Sequence, residues 1–135
     1  MLPDEPEVLG QAAAPLLTDA RRPGRTRDGE LVPLADQDRT RWRWDDIDHG
    51  LRLAAEAVRR GSGPWVLQAS IAALQVAPVP DREAIVTLYD RLAVLSPSPA
   101  VPANRAAAVA LARGPAAARN EVERRHLLRR LATLR

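Results

Sequence analysis

An all-α fold, antiparallel helical hairpins stacked as an α-solenoid of about six helices, is what the sequence predicts, on three observations. Apolar residues recur at steps of three and four along most of the chain. Proline and glycine pairs interrupt that pattern at short intervals. After residue 38 the connections between periodic segments are short, which makes consecutive helices antiparallel neighbours. With 135 residues there is room for a single helical domain over 1–135 with one modest core.

The first helix is expected over 1–22. Asp4 stands as N-cap with Glu7 three residues on, a capping box in which each side chain satisfies an orphan backbone N–H. Pro6 is harmless in a first turn, but Pro15 removes an internal hydrogen bond and is expected to kink or split the helix at a cost of about 3 kcal/mol. Arg21-Arg22 close the helix before Pro23-Gly24. Residues 23–37 read as an ordered loop: Pro23-Gly24 and Asp28-Gly29 supply turn chemistry, and Pro33 within Leu31-Val32-Pro33-Leu34 argues against a central strand.

Helices two to five are expected within 38–113. The second, from about Arg39 to Arg60 with Asp38 as cap, carries Trp44, Ile47, Leu51, Ala54 and Val58 on one face. Gly61-Ser62-Gly63 stops it, and Pro64 opens a third helix in which Leu67, Ile71 and Leu74 share a face. Pro78 and Pro80 end that helix. Asp81 caps the fourth, whose Ile85, Leu88, Tyr89, Leu92 and Leu95 form the cleanest stripe in the chain, ended by Pro97 and Pro99. The fifth, roughly Val101 to Arg113, is rich in alanine. Beyond Gly114-Pro115, residues 114–135 read as a basic terminal helix with Leu127, Leu128, Leu131 and Leu134. The start signals Gly63-Pro64 and Ser98-Pro99 lie 35 residues apart. That spacing is close to the period of tetratricopeptide repeats, with Tyr89 and Pro97 at the aromatic and closing-proline positions and Ala72 and Ala73 at the small-residue positions. The Trp expected early in such a repeat has no counterpart, since Trp65 lies before it.

All 20 basic residues are arginine, against 17 acids, a net charge of +3, and cysteine is absent. No disulfide scaffold or thiolate metal site is therefore possible, and a reducing, cytoplasmic location is expected. An acidic start with Asp4, Glu5 and Glu7 does not suit a secretory signal. The uncharged stretch 61–80 is broken by five prolines and glycines, leaving too few helix-competent residues for a membrane span. The charge is uneven: residues 1–103 carry 12 arginines and 15 acids, whereas 104–135 carry 8 arginines against Glu121 and Glu123. Arg119, Arg124, Arg125, Arg129 and Arg130 either solvate a helix face or contact nucleic-acid phosphates without reading sequence.

No catalytic constellation is present: there is no cysteine nucleophile, no H-E-x-x-H and no glycine-rich phosphate loop, so neither an enzyme nor a cofactor or metal protein is expected. Asp45 and His49, one helical turn apart, could offer a cation two ligands, but a solvated acidic face beside Arg41 and Arg43 is the commoner meaning of such a pair. Asp36-Gln37-Asp38-Arg39 with Trp42 reads as a structural motif, the acids capping a helix and the indole anchoring loop 23–37. Asn104-Arg105 reads as local polar bonding. Trp42, Trp44 and Trp65 read as core or loop anchors and could instead line a groove for a partner helix, while Asp36, Gln37, Asp38, Arg39, Asn104 and Arg105 are the alternative interaction residues.

Several segments in order and spacing carry a resemblance: Leu2-Pro3-Asp4-Glu5-Pro6-Glu7-Val8-Leu9-Gly10, Asp19-Ala20-Arg21-Arg22-Pro23, Asp28-Gly29-Glu30-Leu31, Asp36-Gln37-Asp38-Arg39 with Trp42, Leu67 through Leu74, Leu88-Tyr89-Asp90, and Ser96-Pro97-Ser98-Pro99 through Asn104-Arg105-Ala106. Together they resemble the C-terminal tetratricopeptide-like extension of one group of bacterial extracytoplasmic-function sigma factors. The resemblance implies a non-catalytic module that governs sigma activity in transcription initiation by binding a protein partner, RNA polymerase or a sigma factor. It begins inside the extension, without the two sigma domains, and fades after Pro115. Arg43 and His49 stand where the family has acids, Arg82 where it has Trp, and Pro15 and Pro102 where it has helix formers. Two alternatives stand beside it: a basic helical nucleic-acid-binding protein, and a decayed gene fragment without independent function.

Overall fold

Five α-helices and one minimal hairpin make up the computed structural model, which describes residues 5–96, 98, 100–114, 116, 117 and 119. These residues are mostly helical. They fall into two compact units, Met1–Pro80 and Asp81–Arg135. Of the expected terminal helix, residues 116, 117 and 119 are helical, and its Leu127, Leu128, Leu131 and Leu134 lie outside the described residues.

In the first unit, α1 (Glu5–Asp19) packs against both α2 (Trp44–Arg60) and α3 (Pro64–Gln75). The core they share is built largely from small residues: Ala13, Ala14, Leu17, Ala20, Trp42, Ile47, Ala54, Ala69, Ala72 and Val76. Small side chains let helix axes approach closely, and Gly10 shows how closely. A Cβ there would stand 2.6 Å from the backbone carbonyl carbon and oxygen of Trp65. Pro15 neither splits nor ends α1, which runs unbroken through it. The ring sits on the exposed side while Ala13, Ala14 and Leu17 are buried on the other, so packing offsets the missing hydrogen bond.

Residues 20–43 are more ordered than a plain loop. A short 3-10 turn, Arg22–Gly24, leads into strands β1 (Thr26–Arg27) and β2 (Glu30–Leu31), paired antiparallel with Thr26 opposite Leu31 and Arg27 opposite Glu30. Asp28 (φ 53°) and Gly29 (φ 82°) form the connection, both left-handed as a two-residue hairpin turn requires. The start of the second helix also differs from expectation. Asp38 caps a 3-10 turn, Arg39–Arg41, and the α-helix begins only at Trp44 because Trp42 is extended (φ −69°, ψ 152°). That break turns the Trp42 ring into the core, 4% exposed.

The buried face of α2 is Ile47, Gly50, Ala54 and Ala57, whereas Trp44 and Val58 of the expected stripe are 39% and 53% exposed. Ala69 and Ala72 of α3 and Val76 just after it join the shared core, and Leu74 is only half-buried. Ile47 on α2 and Val66, Leu67 and Ile71 on α3 are buried beside these small residues.

The second unit pairs α4 (Arg82–Leu95) with α5 (Ala100–Arg113). Asp81 caps α4 as its position suggests, accepting from the Ala84 N–H at 3.0 Å. Ile85, Val86, Tyr89 and Leu92 are buried on α4, and Val101, Ala108 and Val109 on α5. Pro102 lies in the first turn of α5, where its missing donor costs nothing.

Candidate functional site

In segment 36–42, Gln37 and Arg39 are half-buried while Asp36, Asp38, Thr40 and Arg41 are exposed. Arg39 donates to the carbonyls of Val76 (2.7 Å) and Ala77 (3.2 Å) at the C-terminal end of α3, where a cation meets the negative end of the helix dipole. Its guanidinium lies 4.6 Å from the Trp42 ring centre and 5.2 Å from that of Trp44. The Trp44 indole N–H donates to the Arg39 carbonyl at 2.8 Å, and the two rings meet at 5.9 Å. Gln37 bridges the Trp42 indole N–H, which it accepts at 3.3 Å, and the Val32 carbonyl, to which it donates at 3.0 Å. Asp38 accepts from the Thr40 N–H (3.0 Å) and hydroxyl (2.6 Å), and these bonds hold its carboxyl below the usual carboxylate range. Asp36 is exposed. Residues 37, 38, 39 and 42 thus form one brace that ties the hairpin segment to the end of α3.

Asn104 and Arg105 are brought to no common site with that brace. Asn104 is exposed on α5, while Arg105, nearly buried, pairs with Asp90 of α4 at 2.5 Å. Arg113 forms a second ion pair with Glu83 at 2.7 Å, and the bond lowers the Glu83 pKa. Arg82 donates to the Leu111 carbonyl at 2.9 Å. These contacts set the register of the α4–α5 hairpin. Asp45 and His49 are both exposed, and among the described residues no group of three or more His, Asp or Glu is placed to hold a metal ion. Arg119 is exposed, and Arg124, Arg125, Arg129 and Arg130 lie outside the described residues.

Sequence reasoning missed the role of Glu7. Asp4 lies outside the described residues. The Glu7 carboxylate leaves its own helix and accepts the Trp65 N–H at 3.0 and 3.1 Å and the Val66 N–H at 3.2 Å, capping α3, whose N-cap residue Gly63 has no side-chain acceptor. A glycine cap before Pro64 was the available signal that an acceptor had to come from elsewhere.

The first unit carries an apolar groove of about 1050 Å³ between α2 and α3. Leu51, Ala55 and Val58 of α2 face Ser70, Ala73 and Leu74 of α3, with Arg52, Glu56 and Arg59 along one edge. The Ser70 hydroxyl donates to the Val66 carbonyl at 2.9 Å within its own helix, so that wall presents an apolar surface. Sequence patterning did not reveal the groove, because Leu51, Val58 and Leu74 read as core positions.

With this geometry in view, comparison with known proteins adds a local relationship. A model described as "Family of unknown function (DUF6596)" matches residues 1–58, from α1 through most of α2. An uncharacterized protein of Rhizobium meliloti (strain 1021) is 42% identical over 129 residues, covering 91% of this chain and 30% of that protein. The chain therefore spans under a third of the length of that relative. No solved structure matches it. Among the described residues no helix is long and apolar enough to cross a membrane.

Proposed function

We propose that this chain is a non-catalytic, cytoplasmic protein-interaction module related to the regulatory C-terminal extension of an RNA polymerase sigma factor, its helical hairpins stacking in the tetratricopeptide manner. Its partner is RNA polymerase or a sigma factor, held during transcription initiation. One observation carries this reading. Gln37, Arg39 and Trp42 of the sequence motif are spent on a brace within the first unit, and that unit carries an apolar groove between two helices, a shape suited to a partner helix. The antiparallel α4–α5 pair supports the hairpin stacking.

The test is retention of purified polymerase core and purified sigma factors from the source cell on the immobilised chain. Specific retention of one of them is expected, and failure to retain any overturns the reading. A second reading rests on the net +6 of residues 104–135, which suits phosphate binding. It requires nucleic-acid affinity that falls steeply with salt, and a flat response removes it.

A further inference from the structure

Resting on that reading, we infer that the α2–α3 groove takes an acidic amphipathic helix, whose apolar face seats over Ala55 between Leu51, Val58 and Leu74 and whose carboxylates meet Arg52 and Arg59. Charge decides the occupant. The lining holds two arginines and one acid, Glu56. Glu56 is already engaged by Arg59 and by Arg60, the latter at 2.7 Å, while Arg52 has no ion pair among the described residues. The edge therefore offers surplus positive charge beside an apolar surface, and a basic helix would meet like charge with no acid left to receive it.

Spacing sets the register. Arg52 and Arg59 are seven residues apart on one helix edge, a separation along the axis of about 10 Å, so carboxylates seven apart on an incoming helix match both. Ala55 and Ala73 are the small residues on facing walls, and the depth they leave suits leucine-sized side chains at the i+3 or i+4 position between those carboxylates. Val58, 53% exposed at one end, gains most from being covered.

The experiment uses the full chain and a fluorescein-labelled synthetic 16-residue helix with leucines on one face and glutamates flanking them, against a counterpart with every glutamate replaced by lysine. Fluorescence anisotropy should show the acidic peptide binding at least about tenfold tighter. The Arg52→Glu/Arg59→Glu variant should invert the preference, and Val58→Glu should weaken the acidic peptide by a similar factor. All three positions are exposed, and circular dichroism melts confirm the fold of each variant. Equal binding of both peptides, binding of neither, or an unchanged preference in the double variant overturns the inference.

The same variants separate it from the broader reading. If wild type and Arg52→Glu/Arg59→Glu retain a transcription protein equally, the groove assignment fails and the module stands. If wild type retains none yet binds the acidic peptide selectively, the proposed partner fails and the groove stands.

Discussion

Replacing Glu7 by alanine should loosen the start of α3, a helix 58 residues away in sequence from the side chain that caps it. The carboxylate receives two backbone donors, Trp65 N–H and Val66 N–H, and Gly63 supplies no side-chain substitute. Loss of a side-chain cap costs about 1 to 2 kcal/mol, within which the charge–dipole attraction accounts for about 0.3 to 1 kcal/mol. Glu7→Ala should therefore destabilise by about 1 to 2 kcal/mol, and Glu7→Gln, which keeps an acceptor and loses the charge, by less than about 1 kcal/mol. Urea unfolding followed by circular dichroism measures both values. Amide exchange locates them: in Glu7→Ala the Trp65 and Val66 amides should lose protection before the interior of α3 does. An alanine variant as stable as wild type, with those two amides unchanged, would refute the claim that Glu7 holds α1 to α3 through this cap.

Gly10→Ala sets helix propensity against space. The gain of about 1 kcal/mol from replacing a helical glycine is outweighed by a Cβ driven to 2.6 Å from the Trp65 carbonyl, so thermal melts should show net destabilisation of about 1 to 2 kcal/mol. Arg39→Ala loses two carbonyl bonds and its place over two indoles and should cost about 2 to 3 kcal/mol in urea unfolding read by tryptophan fluorescence. Arg39→Lys should recover less than half, since an ammonium cannot bridge both carbonyls and lie flat against the rings. The hydrogen bond from Arg113 depresses the Glu83 pKa below its ordinary 4.5, so its contribution is complete above that value and is lost as pH falls through the lowered folded value. Melts in acid should accordingly be less pH-dependent in Glu83→Gln than in wild type, by a small margin because both side chains are exposed.

Local instructions are written plainly in the chain. Step-three-and-four periodicity between proline and glycine breaks marks the helices, and the Asp81 cap and the Asp28-Gly29 turn can be read directly, whereas the start of α2 at Trp44 rather than Arg39 was not. Each depends on backbone geometry and near neighbours, which sequence specifies. Which side of a helix goes inward was less legible. The stripe of large residues on α2 suggested Trp44 and Val58, but Gly50 and Ala57 are buried, because tight packing against α1 rewards the smallest side chains at the crossing.

Partners distant in sequence were decided only by the tertiary structure. Glu7 could cap its own helix or another, and Arg39 could face solvent, a ligand or the end of α3. Composition alone does not rank these options, since a charged group takes whichever partner the packed helices bring within hydrogen-bond range. Periodicity thus determined the helices of this protein, while the close approach of α1, α2 and α3 determined which side chains became braces and where a groove remained.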